Sequence, residues 1–227
     1  MTSSTQQKIE DLSCYLEHTS LSLEYLPEGL SLCHPNFNPL TIDFLSQKLQ
    51  YRSHHGALGE LLAKACGAKH QPKVLDLTAG LGRDAFLLAS LGCEVLMIER
   101  HPIMHALLED GVKRLKQALP DFKLDLIHYD SSEYLKTFSG QLDFDVIYID
   151  PMHPERQKSA LVKKEMRILR DLVGKDEDKV VLINSALSAG VKKIVLKWPL
   201  KSESLSDVKP SGVLKGKAVR FEIYTSK

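Results

Sequence analysis

The sequence predicts an α/β fold: an open, mostly parallel sheet with helices on both faces, preceded by a small β-rich lobe. Three observations predict it. The stretch Val74–Asp84 (V-L-D-L-T-A-G-L-G-R-D) reads as a short apolar strand, a glycine turn and a helix start. Around it, strand-length apolar runs and helical patterns alternate five times, the signature of a parallel sheet. The final run, Ala218–Thr225, alternates apolar and polar residues after a polar connection, which suits an antiparallel strand added to that sheet. A chain of 227 residues is long enough to bury a sizeable core.

Composition narrows the function classes. Hydrophobic content of 43% and charged content of 26% are those of an ordinary globular domain. A formal net charge of +1 gives no global attraction to nucleic acid, so any such binding needs a local basic patch. Residues 1–13 are polar and do not resemble a signal peptide, and no apolar run approaches a membrane span. The four cysteines, Cys14, Cys33, Cys66 and Cys93, are scattered without a C-x-x-C. They read as reduced thiols of a cytoplasmic protein, with no metal site.

Taken in order, residues 1–13 read as a frayed leader. Leu21, Leu23 and Tyr25, then Pro27-Glu28-Gly29, then Leu30 and Leu32, predict a hairpin. Leu40, Ile42 and Phe44 continue the period of two, so a small lobe is expected over residues 1–52 and the main domain over 53–227. Tyr51–Gly56 reads as a polar link, and Ala57–Cys66 as a helix closed by Gly67. Strands are expected at Lys73–Thr78, Glu94–Glu99, Lys123–His128, Phe144–Ile149 and Lys193–Trp198. The intervening helices follow the glycine loop, then cover Ile103–Leu119, Glu133–Phe138, an amphipathic stretch within 155–179, and Val180–Gly190. Lys201–Gly216 reads as a polar loop.

The glycine loop carries the first chemistry. Gly80 and Gly82 permit positive φ and close backbone approach to a ligand, and the following helix offers free N–H groups. G-L-G-R-D-A fits the dinucleotide pattern G-x-G-x-x-G/A. D-L-T-A-G-L-G, which begins at Asp76, also resembles the D-x-G-x-G-x-G loop of S-adenosylmethionine (SAM) methyltransferases, with Thr78 in place of the first glycine.

Strand ends carry the rest, because open parallel sheets bind ligands at their carboxyl edge. Glu99 ends the second strand, where a carboxylate accepts hydrogen bonds from ribose hydroxyls. Arg100 either packs along a nucleoside or pairs with Glu99. Asp130, Ser131 and Ser132 follow the third strand and suit hydrogen bonding to an adenine amine; either serine also suits a helix N-cap. The fourth strand runs into Asp150-Pro151-Met152-His153-Pro154, which resembles the (Asp/Asn)-Pro-Pro-(Tyr/Phe) motif of amino-group methyltransferases. There, proline stiffens the backbone that holds Asp150 toward an exocyclic amine. His101 and His105 share a helical face but lack a third ligand for zinc.

Together, D-L-T-A-G-L-G-R-D-A-F, I-E-R-H-P, Y-R-S-H-H-G, K-W-P, G-K-A-V-R-F-E-I-Y and the long D-P-M-H-P-E-R-Q-K-S-A-L-V-K-K-E-M-R run resemble the RsmJ family over most of the chain. That resemblance implies a seven-stranded, Rossmann-like SAM methyltransferase sheet. It implies transfer of a methyl group to the exocyclic N2 of a guanine in 16S ribosomal RNA, free or in the small ribosomal subunit. It implies cofactor contacts at Arg83 and Asp84 beside those at Glu99, Arg100, Ser131, Ser132 and Asp150, with Asp150 and Pro151 at the reacting amine. His153 stands where the family carries an aromatic residue. Arg156, Lys158, Lys163, Lys164 and Lys197 are expected to face the RNA backbone. Two other readings stay open at this point: a nicotinamide-dependent oxidoreductase built on G-L-G-R-D-A, and a non-catalytic RNA-binding assembly protein.

Overall fold

The structure is a computed structural model and describes residues 3–137, 142–152, 172 and 178–225. The stretch expected to be a frayed leader is instead helix α1, Ser3–Ser13, with Ile9 and Leu12 packed against the core. Two apolar residues three apart hold a helix that its polar composition conceals.

A three-stranded antiparallel sheet follows: β1 (Ser22–Leu26), β2 (Gly29–His34) and β3 (Phe37–Thr41). Leu26 pairs with Gly29, so Pro27-Glu28 form a tight hairpin turn, as the sequence predicts. Helix α2, Gln47–His54, then replaces most of the expected polar link. The expected helix over 57–66 divides into a 3-10 turn (Ala57–Gly59) and α3 (Leu61–Cys66), because Glu60 between them is extended.

The main sheet has seven strands: β4 (Lys73–Asp76), β5 (Glu94–Glu99), β6 (Leu124–His128), β7 (Val146–Ile149), β8 (Lys193–Pro199), β9 (Gly212–Lys215) and β10 (Val219–Thr225). Their order is β6-β5-β4-β7-β8-β10-β9. Strands β4 to β8 are parallel, and β10 inserts antiparallel between β8 and β9. Strand β9 lies in the stretch read as a polar loop; at four residues with alternating exposure it leaves only a weak pattern. Helices α4 (Arg83–Ser90), α5 (Pro102–Ala118), α6 (Ser131–Thr137) and α7 (Lys179–Ser188) cover the faces. The amphipathic helix expected within 155–179 lies outside the described residues except at Leu172 and Asp178–Lys179, as do His153, Arg156, Lys158, Lys163 and Lys164.

Period two explains how the strands are buried on both faces. Val146 and Tyr148 of β7 join the core under α4 and α5, whereas Ile147 and Ile149 join the core under α6 and α7. The strand order reverses between β4 and β7, which opens a crevice at their carboxyl ends.

The N-terminal sheet docks on α5 through one buried acid. Asp110 accepts hydrogen bonds from Arg114 Nε (2.8 Å), the Leu30 N–H (3.1 Å) and the Tyr25 hydroxyl. Burial pushes its carboxyl up, but the Tyr25, Arg114 and Leu30 donors outweigh burial and hold it below the usual aspartate value. Gly111 beside it lets the chain approach closely, since a Cβ there would stand 2.8 Å from the Ile42 carbonyl oxygen. Asp110→Ala should therefore cost about 3 kcal/mol by urea denaturation at neutral pH, because Arg114 loses its buried partner. A depressed carboxyl contributes stability above its unfolded pKa and loses it as pH falls through the folded value. The deficit should accordingly shrink in acid.

Candidate functional site

The crevice is a cavity of about 480 Å3 at the carboxyl ends of β4, β5, β6 and β7. That is within the range of roughly 300–1,000 Å3 typical of small-molecule sites. The glycine loop forms its floor. The Leu77 N–H donates to the Tyr148 carbonyl at 3.0 Å, and the Ala79 N–H to the Ile98 carbonyl at 3.3 Å, tying the loop to both neighbouring strands. Gly80, at φ +53°, donates its N–H to Glu99 Oε2 at 3.3 Å. The His101 N–H donates to the other oxygen, Oε1, at 2.8 Å. Burial pushes the Glu99 carboxyl up, and these two N–H groups oppose the shift.

Ten of the other predicted residues also line the cavity: Asp76, Arg83, Asp84, Arg100, Asp130, Ser131, Ser132, Asp150, Pro151 and Gly80, beside Glu99. Gly82 does not. It has φ +67°, and a Cβ there would stand 2.8 Å from Phe44 and 2.9 Å from Leu108. Its lack of a side chain serves packing of the N-terminal lobe against the helix start. Asp130, and neither serine, caps α6: its Oδ1 accepts from the Ser132 and Glu133 N–H groups at 2.9 and 3.1 Å. The Ser131 hydroxyl donates to the Leu77 carbonyl at 2.7 Å, fastening α6 to the loop. Arg100 reaches across the cavity to Asp178 at 3.3 Å and Asp130 at 3.4 Å. His105 stacks on His128, and no cluster of three or more metal-binding side chains occurs among the described residues.

The second half of the site is an ionic network that sequence spacing does not reveal. Lys197 of β8 donates to Asp150 Oδ2 at 2.7 Å and to Asp84 Oδ2 at 2.8 Å. The Tyr148 hydroxyl donates to the same Asp84 oxygen at 2.8 Å. Arg52, from α2, donates to Asp84 Oδ1 at 3.2 and 3.3 Å and to Glu60 at 2.7 Å. Lys197 thus lies inside the site rather than on an RNA-facing surface. Burial pushes the Asp84 carboxyl up, but Lys197, Tyr148 and Arg52 outweigh burial and hold it below the usual value. Burial disfavours the Lys197 ammonium, yet Asp150 and Asp84 outweigh it and keep the lysine charged. For Asp150 burial wins, and its carboxyl stands above the usual value although Lys197 pulls the other way. Asp76 is buried completely enough to be pushed up to about 7, with the Thr78 N–H opposing the shift at 2.9 Å.

Thr78, the departure from the glycine pattern, has a structural role. Its hydroxyl oxygen accepts the Asp150 N–H at 2.7 Å, so the loop after β4 fixes the backbone at the end of β7.

Known proteins resemble this chain in sequence and fold. The family described as SAM-dependent methyltransferase matches residues 6–226. Ribosomal RNA small subunit methyltransferase J of Coxiella burnetii is 48% identical over 98% of this chain and 90% of that protein. The protein of the same name from Shewanella baltica is 43% identical over 92% of this chain and 88% of its own length. The chain belongs to this family. A crystal structure of a SAM-dependent methyltransferase from Neisseria gonorrhoeae is 31% identical and covers 99% of this chain and 92% of its own, with a TM-score of 0.74. The sheet, including its antiparallel β10, is therefore the methyltransferase sheet, and the nicotinamide alternative falls.

The family's cofactor is SAM, and the cavity suits it. Acidic groups that suit a sulfonium and an amino group are among its lining residues, and Gly80 leaves room, since a Cβ there would meet nothing closer than 3.8 Å. Glu99 retains lone pairs for ribose hydroxyls beyond its two backbone donors.

Proposed function

We propose that this protein transfers the methyl group of SAM to the exocyclic N2 amine of a guanine in 16S ribosomal RNA within the small ribosomal subunit. The observation that carries the reading is the held carboxylate of Asp150, which lines the cavity next to Pro151 at the end of β7 with one oxygen on Lys197. The relatives are named for small-subunit ribosomal RNA, which supports the substrate class.

Bound SAM supplies an electrophilic methyl carbon. In this reading the chain's residues position both partners. Glu99 and the Gly80 backbone hold the ribose. Asp130, Ser131 and Ser132 flank the adenine, and Asp76, Arg83 and Asp84 flank the amino acid end. The guanine amine is a weak nucleophile because its lone pair is delocalised into the ring. Asp150 accepts a hydrogen bond from the amine and orients its lone pair toward the methyl donor, while Pro151 stiffens the support. As the N–CH3 bond forms the S–CH3 bond breaks to leave a neutral thioether, and the alkylated amine gives its proton to water, so the carboxylate needs no strongly basic character. The target base leaves its stack to reach the cavity.

The test is methyl transfer from labelled SAM to unmodified small subunits and to protein-free 16S RNA, followed by nucleoside mass spectrometry. N2-methylguanosine is the expected product. With a net charge of +1 supplying little long-range attraction, assembled subunits should be the better substrate. Methyl groups found only at another atom would refute the N2 assignment, and efficient turnover on protein-free RNA would refute the preference for particles.

A further inference from the structure

Helix α2 and its C-terminal cap carry an exposed stack of two rings. Tyr51 is 66% exposed. Its ring lies 4.1 Å from that of His55, centroid to centroid, with 18° between the planes. Exposed aromatic area is normally covered or left scattered; here two rings are pre-stacked with one of them open to solvent. The neighbouring residue, Arg52, lines the cavity and is tied to Asp84 and Glu60, so the helix that carries the stack is anchored at the site.

The surroundings point to a nucleic acid partner. From Gln47 to His55 the helix has no acidic residue and carries Lys48, Arg52, His54 and His55. Lys48, Tyr51 and His55 fall three and four residues apart, on one stripe. The Nδ1 atoms of His54 and His55 lie 2.7 Å from the Gln50 carbonyl and 3.1 Å from the Tyr51 carbonyl. A carbonyl only accepts, so each Nδ1 carries a proton. These bonds also fix the His55 ring in its stacked orientation.

We propose that the Tyr51–His55 stack is a landing platform for a nucleobase flanking the target guanine in the RNA substrate, with Lys48 at the adjacent phosphate; the inference rests on the RNA methyltransferase reading above. A base laid on Tyr51 extends the existing stack without side-chain reorganisation. Such stacking tolerates any base, so the platform supplies grip and register rather than sequence choice.

The test uses Tyr51→Ala, Tyr51→Phe and His55→Ala in the full chain. Binding of the fluorescein-labelled protein to unmodified small ribosomal subunits is read by anisotropy, with SAM affinity by calorimetry and thermal melting alongside. Tyr51→Ala should weaken subunit binding about tenfold and His55→Ala less, whereas Tyr51→Phe should match the wild type. SAM affinity and melting should not change, since Tyr51 contacts solvent on its outer face. On small subunits, Tyr51→Ala should raise KM and leave kcat within twofold. Wild-type affinity in Tyr51→Ala, equal losses in Tyr51→Ala and Tyr51→Phe, or no subunit binding by the wild type would overturn the platform. Subunit binding that depends on Tyr51 without N2 methylation would keep the platform and reject the proposed target instead.

Discussion

Asp150→Asn should lower kcat by about 10²–10³-fold while leaving SAM affinity within a few-fold and the melting temperature nearly unchanged. The size follows from donor and acceptor arithmetic. Lys197 is a donor only and takes one oxygen of Asp150 at 2.7 Å. In asparagine the single amide oxygen would go to Lys197, and the NH2 group would face the incoming amine. Two donors would then oppose each other at the atom that has to attack. Asp150→Ala should be less harmful per molecule of bound RNA than this inversion suggests, because it removes the acceptor without adding a donor. Single-turnover methylation of small subunits would separate these effects from product release. A kcat for Asp150→Asn within threefold of wild type would remove Asp150 from the reacting amine.

Lys197→Met should have the larger effect on stability. The substitution leaves Asp84 and Asp150 facing each other without the ammonium that lies between them. Losing one partner of a fully buried pair costs roughly 3–5 kcal/mol; Asp150 is partly open to solvent, so about 2–3 kcal/mol is expected at neutral pH. Arg52 and Tyr148 still hold Asp84, which prevents outright collapse. The pH dependence has a definite sign. Asp84 is depressed in the wild type, so its contribution exists above the unfolded aspartate value of about 3.9 and disappears as pH falls. The deficit of Lys197→Met should therefore be greatest near neutrality and shrink toward about pH 4, as the stranded carboxylates protonate. Urea denaturation at the two pH values checks it, and an equal deficit at both would show that lost packing, not charge, is responsible. Methyl transfer should fall below detection, since Asp150 loses its anchor.

The sequence made most of the parallel sheet legible, and with it the acids at strand ends. Glu99, Asp130 and Asp150 follow apolar runs, and the carboxyl edge of a parallel sheet is where such residues meet a ligand. Lys197 and Tyr148 were illegible in these terms because their partnership is made by strand order. β8 lies beside β7, with Tyr148 opposite Val195 and Ile149 opposite Leu196, which sets Lys197 at the end of β7 close to Asp150. The one local signal was a lysine inside the otherwise apolar K-I-V-L-K-W strand. Arg52 was hidden for a different reason: its polar surroundings look like a link, and only the packed structure makes them a helix. Gly82 shows a second demand that the motif conceals. Its place in a glycine motif suggests ligand approach, whereas its neighbours are Phe44 and Leu108. Pattern gives the glycine but cannot say which of its two sides is crowded.

That crowding has a consequence for how the chain can be divided. Phe44 stacks on Phe86 with ring centroids 5.4 Å apart and sits over the glycine that starts α4. Together with Leu30, Leu32 and Leu40 it belongs to the same apolar core as Leu107 and Leu108 of the main sheet's helices. A shortened polypeptide keeping only the seven-stranded sheet would bare that seam to water, and a patch of this kind drives self-association. The small sheet is masonry shared with the methyltransferase core, so severing it would yield an aggregating fragment rather than a smaller catalyst.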